Sequence, residues 1–349
     1  MSTNMLTVSC VTPGNLSLEQ RERPVPGPGE VLLRVRRVGV CGTDLHIFSG
    51  NQPYLQYPRV MGHEIAAVVE WSPAGSRLTA GDVVYVMPYI ACGHCVACRQ
   101  GKTNCCVSLQ VLGVHRDGAL AEYLALPEAY VHKAEGVTLD QAAMVEFLAI
   151  GAHAIRRADV QAGQRVLVVG AGPIGMAAMI FAQLRGASVT ALDTRADRLA
   201  FCERELGIAR SVAIGPDDVQ ALSAQTDGEF FDVVFDATGN AKAIERGFGF
   251  VAHAGQYVLI SIVRDNITFS DPEFHKRETT LLGSRNATTE DFETVLQAMR
   301  AGRVPTDALN THRLKFTELP EKFPSLLDPA QGVVTVSYTH LTLPTTPYV

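Results

Sequence analysis

The sequence lacks any cluster of basic residues. Its 30 lysines and arginines are outnumbered by 36 aspartates and glutamates, which gives a formal net charge of −6 over 349 residues. Without a basic run or stripe, neither nucleic acid nor an anionic membrane is expected as a partner. Residues 1–20 also lack a basic segment followed by an apolar one. We therefore expect no secretory signal peptide and a cytoplasmic location.

The sequence also lacks an uninterrupted hydrophobic run that could span a membrane. Residues 166–184 (VLVVGAGPIGMAAMIFAQL) carry no charge and are nearly long enough. Gly170, Gly172, Pro173 and Gly175 break the run where a spanning helix would have to continue. This pattern predicts a buried strand, a tight glycine turn and a buried helix.

The length and the pattern of apolar residues predict an α/β protein with two domains. The chain is too long for one hydrophobic core. Residues 1–150 hold short β-branched runs between Pro/Gly clusters, which indicates a compact β-rich domain. Residues 151–286 alternate strand and helix patterns, which predicts a doubly wound parallel sheet. We expect residues 287–335 to return to the first domain, and we treat residues 336–349 as an atypical tail outside the fold.

A glycine-rich turn indicates a dinucleotide site. Gly170-Ala171-Gly172-Pro173-Ile174-Gly175 follows an apolar strand and opens a helix, whose N-terminus can bind a pyrophosphate. Asp193 closes the next strand, where a carboxylate would accept hydrogen bonds from the ribose hydroxyls and repel a 2′-phosphate. NAD is therefore favoured, while Arg195 and Arg198 keep NADP open as an alternative. We expect Arg198 and Thr238 to contact the cofactor as well.

Four of the eight cysteines lie close together in the sequence, as Cys92, Cys95, Cys98 and Cys106. Four thiolates from one short loop suit a closed tetrahedral zinc site that orders the loop, in a compartment that keeps thiols reduced. Cys105 could replace its neighbour Cys106 as the fourth ligand. An iron–sulfur cluster is the chemical alternative, although its usual cysteine spacings differ.

A second set of metal-binding residue types is dispersed along the chain. Cys41 follows a predicted strand, His63 opens another, and Glu146 lies in a helix predicted from residue 139. One cysteine, one histidine and one carboxylate can form a three-ligand zinc site with an open position. Taken singly, each also fits a plain structural role, as a small core residue, a loop histidine and a solvated helix residue.

In this order, the motifs CGTDLH, GHE, the four-cysteine loop and GAGPIG resemble the zinc-containing medium-chain dehydrogenase/reductase family over residues 1–335. The similarity is to its polyol and sugar-acid branch. It implies a GroES-like β-rich catalytic domain and a Rossmann domain that binds NAD. It also implies one catalytic and one structural zinc. Members are homodimers or homotetramers, paired through the sheet edge near residues 279–284.

The resemblance also implies roles for individual residues. The catalytic zinc would be held by Cys41, His63 and Glu146, with Glu64 as a further ligand or a partner of the ligands. Thr43 and His46 would form the proton relay. The family usually has a proline after the helix carboxylate, whereas this chain has Phe147.

The implied reaction transfers hydride from a secondary alcohol of a sugar acid, an L-galactonate-like aldonate, to NAD. A substrate carboxylate calls for a cation, and the family brings the loops of Arg285 and Arg116 near the cleft. Each arginine could instead form a surface ion pair, as Arg116 could with Asp117. A neutral polyol such as sorbitol, or L-threonine, is the alternative substrate. A regulatory protein that kept the fold without turnover is the alternative outside the enzymes.

Overall fold

The computed structural model describes residues 3–52 and 55–339. The chain forms two compact units. Unit 1 comprises Met1–Glu146 with Thr306–Val349, and unit 2 comprises Phe147–Pro305. Among the described residues, no helix is both long and apolar enough to cross a bilayer. Residues 166–184 instead contain a strand, a turn and a helix, as the sequence predicts.

The helices and strands follow one another along the chain. The first part has β1 (Asn4–Thr12), β2 (Asn15–Glu22), β3 (Glu30–Gly39), α1 (Gly42–Phe48), β4 (Arg59–Val60), β5 (Glu64–Trp71), β6 (Val83–Val86), β7 (Tyr89–Ile90), α2 (Val96–Arg99), β8 (Gln110–Val111), β9 (Tyr123–Pro127), β10 (Val131–Lys133) and α3 (Leu139–Arg157). The middle part has β11 (Arg165–Val169), α4 (Pro173–Leu184), β12 (Ser188–Asp193), α5 (Ala196–Leu206), β13 (Arg210–Ala213), α6 (Asp218–Ala224), β14 (Phe231–Asp236), α7 (Ala241–Gly247), β15 (Val251–Leu259), α8 (Asp271–Lys276), β16 (Thr280–Gly283) and α9 (Thr289–Arg300). The last part has α10 (Thr306–Leu309), β17 (Asn310–Lys315), α11 (Leu319–Lys322) and β18 (Thr335–Thr339).

Unit 1 is β-rich. Its largest sheet has the order β10-β6-β5-β3-β18-β17, with β9 also paired to β3, and β2-β1-β4 form a second sheet. The buried core lies among their β-branched and leucine side chains, including Val35, Val38, Ile65 and Val84. The small antiparallel pair β7-β8 brackets the four-cysteine segment. The strands β3, β5, β7 and β8 position the two groups of candidate metal ligands.

Unit 2 holds one parallel sheet in the order β13-β12-β11-β14-β15-β16. This is the 3-2-1-4-5-6 order of a doubly wound dinucleotide-binding sheet. The central strands are buried on both faces, so they read as continuous apolar runs such as RVLVV in β11. The strand order reverses between β11 and β14, and the glycine turn follows β11. The predicted fold class is confirmed.

The structure differs from the predicted domain limits at the C-terminal side. Helix α9 lies in unit 2, because Phe292 and Val295 on its apolar face are buried and Asp291 near its start forms an ion pair with Arg156 of the same unit. The return to unit 1 therefore begins at Thr306, not at residue 287.

The prediction of an atypical tail from residue 336 is wrong for residues 336–339. These residues belong to β18, which pairs antiparallel with β3 and parallel with β17. Val336 and Tyr338 are fully buried in the core of unit 1, so the segment completes the sheet even though its composition is polar. The rest of the predicted tail, residues 340–349, lies outside the described residues.

Candidate functional site

The four-cysteine loop forms one compact cluster in unit 1. The sulfur atoms of Cys92, Cys95, Cys98 and Cys106 all lie within 4.8 Å of one another. Backbone N–H groups, from Cys98 first and also from the residue after Cys106, lower the pKa of Cys95 to about 6. Cys105 is exposed and stands outside the cluster. Four converging thiols are the donor set of a structural zinc site, so these residues fit that metal.

Three residues of the dispersed set also come together in unit 1. Cys41 precedes α1, while His63 and Glu64 stand at the start of β5, and their ligand atoms lie within 4.8 Å of one another. Gly39 on β3 faces Glu64 across the sheet. A Cβ on Gly39 would lie 1.9 Å from Glu64 Oε2, so only glycine leaves room for this carboxylate.

Asp44 holds two of these ligand segments in place, a role that the sequence analysis did not assign to it. Its carboxylate accepts hydrogen bonds from the backbone N–H of Cys41 at 3.0 Å and of Gly62 at 3.2 Å. Its Oδ1 is also 3.9 Å from Nδ1 of His63. The spacing of three residues from Cys41 to Asp44, typical of a helix capping box, was the available signal.

Glu146 lies on α3 and is not one of the three clustered ligands. The buried hydroxyl of Tyr89 on β7 donates a hydrogen bond to Glu146 Oε1. Sequence reasoning missed Tyr89, because nothing in the pattern of β7 distinguishes it from a core tyrosine. The structure thus provides two carboxylates, Glu64 inside the cluster and Glu146 held by Tyr89.

The electrostatics of this group favour a bound cation. Burial first, and then the nearby carboxylates of Glu146 and Asp44, raise the pKa of Cys41 to about 12. Burial also raises the pKa of both Glu64 and Glu146. Burial lowers the pKa of His63, but the surrounding carboxylates outweigh it and raise the pKa overall. Several acidic groups in one buried place repel one another unless a positive charge joins them.

The hydrogen-bonding pattern gives a direct test of whether these residues fit zinc. Within the described parts of the chain, His63 Nδ1, Glu64 Oε2 and Glu146 Oε2 are buried polar atoms without a hydrogen-bond partner. Buried polar atoms are usually paired, and three unpaired ones in a single group of ligand-type side chains are consistent with a bound ion. Together with the Cys41 thiol they are nitrogen, oxygen and sulfur donors of the kinds that zinc binds. The residues fit the metal.

The two predicted relay residues lie on α1, next to the thiol. Thr43 Oγ1 is 3.8 Å from Cys41 Sγ. His46 follows three residues later on the same helix, and its side chain is exposed to solvent. One hydroxyl therefore stands beside the candidate metal ligands, and one imidazole of the same helix reaches water.

The glycine turn of unit 2 has the geometry that a pyrophosphate requires. A Cβ on Gly175 would lie 1.8 Å from the carbonyl oxygen of Gly170, so glycine permits the close packing of α4 on β11. Around Gly172, no heavy atom of the described residues would come within 4 Å of an added Cβ. Pro173 and Ile174 then open α4, with proline at the first helical position. The turn fits NAD.

Asp193 lies at the end of β12 and braces this turn. Its Oδ2 accepts a hydrogen bond from the Ala171 N–H at 2.6 Å, and its Oδ1 accepts one from the Arg195 N–H at 2.8 Å. Arg195 is paired with Asp197, and burial lowers the pKa of Arg198. The carboxylate is therefore fixed beside the glycine turn.

Thr238, the last predicted cofactor residue, lies just beyond the end of β14. Its hydroxyl donates to Asp236 at 3.0 Å, and it accepts a hydrogen bond from the backbone N–H of Asn240. Ser261 donates to the same Asp236 carboxylate. The hydroxyl of Thr238 is thus part of a network that shapes the end of β14.

The two candidate substrate arginines lie in different units. Arg116 of unit 1 is half-buried, and Arg285 of unit 2 is exposed just after β16. The alternative of an Arg116–Asp117 ion pair is not what the described residues show. Asp117 instead contacts Arg59 at 3.0 Å and Arg21 at 3.1 Å.

Comparison with known proteins identifies the family. Residues 27–136 match the family described as "Alcohol dehydrogenase GroES-like domain", and residues 173–301 match "Zinc-binding dehydrogenase". The chain is 43% identical to L-galactonate-5-dehydrogenase of Escherichia coli K12, over 93% of this chain and 95% of that protein. It is 32% identical to L-threonine 3-dehydrogenase of Pyrococcus horikoshii, over 93% and 95% of the two chains.

The solved structures agree with these matches. An alcohol dehydrogenase of Escherichia coli CFT073 in complex with NADH superposes with a TM-score of 0.90 at 28% identity, over 97% of this chain and 100% of that one. The fold, the two clusters of metal-binding side chains and the glycine turn are those expected of such an enzyme. The chain therefore belongs to the zinc-containing alcohol dehydrogenases of the medium-chain dehydrogenase/reductase family.

Proposed function

We propose that this protein oxidises a secondary alcohol of a sugar acid, an L-galactonate-like aldonate, with NAD as the hydride acceptor. The observation that carries the substrate class is the 43% identity to L-galactonate-5-dehydrogenase along nearly the whole of both chains. In the reaction the carbinol carbon gives up a hydride to the cofactor and its hydroxyl gives up a proton, so that a ketone forms.

We assign the catalytic zinc to Cys41 and His63 with a carboxylate. Glu64 is the carboxylate favoured by the geometry, since its ligand atom lies within 4.8 Å of the other two. When bound, zinc supplies Lewis acidity to the alcohol and NAD supplies the hydride acceptor. The four-cysteine cluster holds the second, structural zinc.

Proton transfer is assigned to α1. The Thr43 hydroxyl, 3.8 Å from Cys41 Sγ, would hold the alcohol oxygen by a hydrogen bond, and as it receives the alcohol proton it would pass its own hydroxyl proton along the relay to His46. The exposed His46 delivers a proton to solvent, a step that suits histidine because its side chain changes charge near neutral pH. Positioning on one short helix keeps the two groups at a fixed separation.

In unit 2 the glycine turn binds the pyrophosphate and Asp193 accepts hydrogen bonds from the ribose, which favours NAD over NADP. We propose that Arg285 or Arg116 binds the substrate carboxylate, since the planar guanidinium group of arginine can donate two parallel hydrogen bonds to a carboxylate. A neutral polyol or L-threonine is the alternative substrate, and the 32% identity to L-threonine 3-dehydrogenase supports the second of these.

We also propose a homodimer or homotetramer in the cytoplasm. The strand β16 is an edge strand of the parallel sheet and exposes Leu281, so its edge can pair with a second copy. All eight cysteines are free of disulfide bonds, which fits a reducing compartment.

The test is a rate comparison with purified protein and NAD on L-galactonate, L-gulonate, sorbitol and L-threonine. We expect the highest kcat/KM for a sugar acid, and loss of turnover in Cys41→Ala. Faster oxidation of sorbitol or L-threonine than of either acid would contradict the substrate assignment, and absence of any turnover would favour a regulatory protein.

A further inference from the structure

Tyr89 occupies an unusual place between the two candidate metal sites. It lies on β7, three residues before Cys92, and pairs with Val111 of β8 across the neck of the four-cysteine loop. Its side chain nevertheless points to the other group of ligands, where its hydroxyl donates to Glu146 Oε1. Tyr89 is 3% exposed and Glu146 is also 3% exposed. The hydrogen bond is thus formed out of contact with water.

The segment that carries Tyr89 is itself firmly held. The Tyr130 hydroxyl binds both the N–H and the carbonyl of Ala91, at 3.1 and 3.2 Å. The Cys92 N–H donates to Cys106 Sγ at 3.2 Å. The backbone on the C-terminal side of Tyr89 is therefore anchored within unit 1, so its hydroxyl has a fixed position from which to orient a carboxylate.

The hydrogen bond from Tyr89 makes the two carboxylate oxygens of Glu146 different from each other. Oε1 accepts from the tyrosine, while Oε2 is buried without a partner among the described residues. A carboxylate held through Oε1 cannot turn freely toward a metal ion. Glu64 meanwhile lies with Cys41 and His63 in the group of three.

We propose that Tyr89 is a positioning residue that fixes Glu146 through Oε1 and so makes Glu64 the carboxylate that joins Cys41 and His63 at the metal. The inference rests on the proposed function, since it concerns the same zinc site. Without the tyrosine hydroxyl, Glu146 is free to turn and to compete with Glu64.

Cobalt-substituted protein tests this through its visible spectrum, which reports the number and type of metal ligands. The probe is Co²⁺ in the full-length chain, and the spectrum of Cys41→Ala supplies the contribution of the four-cysteine site for subtraction. We expect Tyr89→Phe to change the ligand-field bands of the Cys41 site. We also expect its zinc dissociation constant to fall, because a freed Glu146 adds a second carboxylate within reach of the metal.

Tyr257→Phe is the matched control. Tyr257 is likewise a fully buried tyrosine whose hydroxyl donates a hydrogen bond, but its acceptor is the backbone carbonyl of Ile244 in unit 2 and not a carboxylate. We expect its spectrum and zinc affinity to match those of the native protein. Glu146→Gln provides a second background, in which Tyr89→Phe should change the spectrum and zinc affinity far less than it does beside the native Glu146.

The outcomes separate the inference from the function. A native protein that binds no metal through Cys41 would overturn both. A native protein that binds it, with a spectrum and affinity unchanged in Tyr89→Phe, would overturn only the role of Tyr89. A purely structural tyrosine would lower the melting temperature equally in both backgrounds and leave the cobalt bands unchanged, and that result would also refute the proposal.

Discussion

The preference for NAD depends on one carboxylate, Asp193, and the substitution Asp193→Asn tests it most cleanly. Asparagine keeps the size of the side chain and one acceptor oxygen, so one of the two backbone hydrogen bonds, from Ala171 or from Arg195, can persist. What disappears is the negative charge. A hydrogen bond to a charged group contributes about 1.5–3 kcal/mol and one to a neutral group about 0.5–1.5 kcal/mol.

The difference between these values, about 1–2 kcal/mol, corresponds to about 5- to 30-fold in kcat/KM for NAD. For NADP the same change removes the repulsion between Asp193 and the 2′-phosphate, so its kcat/KM should rise. The ratio of kcat/KM for NAD to kcat/KM for NADP should therefore fall by a larger factor than kcat/KM for NAD alone. Asp193→Gly removes both hydrogen bonds that brace the glycine turn, and we expect it to weaken the use of both cofactors.

The assay measures initial rates from the absorbance of the reduced nicotinamide, with each cofactor varied at saturating substrate. Equal use of NAD and NADP by the native protein would refute the reasoning. So would an Asp193→Asn variant that loses the same factor with both cofactors, since Asp193 would then act only as a brace of the turn.

Two further predictions concern the substrate and the stability of unit 2. Arg285→Ala should lower kcat/KM for the sugar acid by about 30- to 1000-fold, or about 2–4 kcal/mol, and should lower kcat/KM for a neutral polyol much less. Arg285→Lys should restore kcat/KM for the sugar acid only in part, because lysine lacks the planar fork of arginine. An equal loss on both substrates would refute the assignment of Arg285 to the substrate carboxylate. Burial raises the pKa of Asp291, but hydrogen bonds from His153 and Arg156 outweigh it and hold the pKa well below its usual range. The resulting stability is present above about pH 4 and is lost as the pH falls further. In urea unfolding at neutral pH, Asp291→Asn should lower the free energy of unfolding by about 2–3 kcal/mol, and this loss should become smaller in acid. A difference between the native protein and the variant that does not change with pH would contradict this account.

The sequence predicted elements wherever a single local pattern decides the structure. Residues 166–184 became the end of β11, the glycine turn and α4, and the strand expected to end at Asp193 became β12. The glycine turn could also be placed, because its spacing reflects local contacts with β11 and α4. The strand β18 was not predicted, since its polar residues become a central strand only through pairing with β3 and β17, which lie far away in the sequence.

The same distinction applies to the candidate site. The spacing of the cysteines indicated their cluster, but it could not choose between Cys105 and Cys106, because the choice depends on how the loop folds back. The relation of Glu146 to Tyr89 joins residues 57 positions apart. A local sequence pattern does not predict a contact between residues so far apart. The position of Glu64 beside Cys41 and His63 likewise depends on how the strands pair in the folded sheet.

The central claim is that the dispersed residues around Cys41 hold a catalytic zinc distinct from the structural one. The most direct measurement is the zinc content of the purified native protein and of Cys41→Ala, by elemental analysis per chain. We expect about two zinc ions in the native protein and about one in the variant, which keeps the four-cysteine site. A single zinc in the native protein that persists unchanged in Cys41→Ala would contradict the claim, because the dispersed residues would then bind no metal.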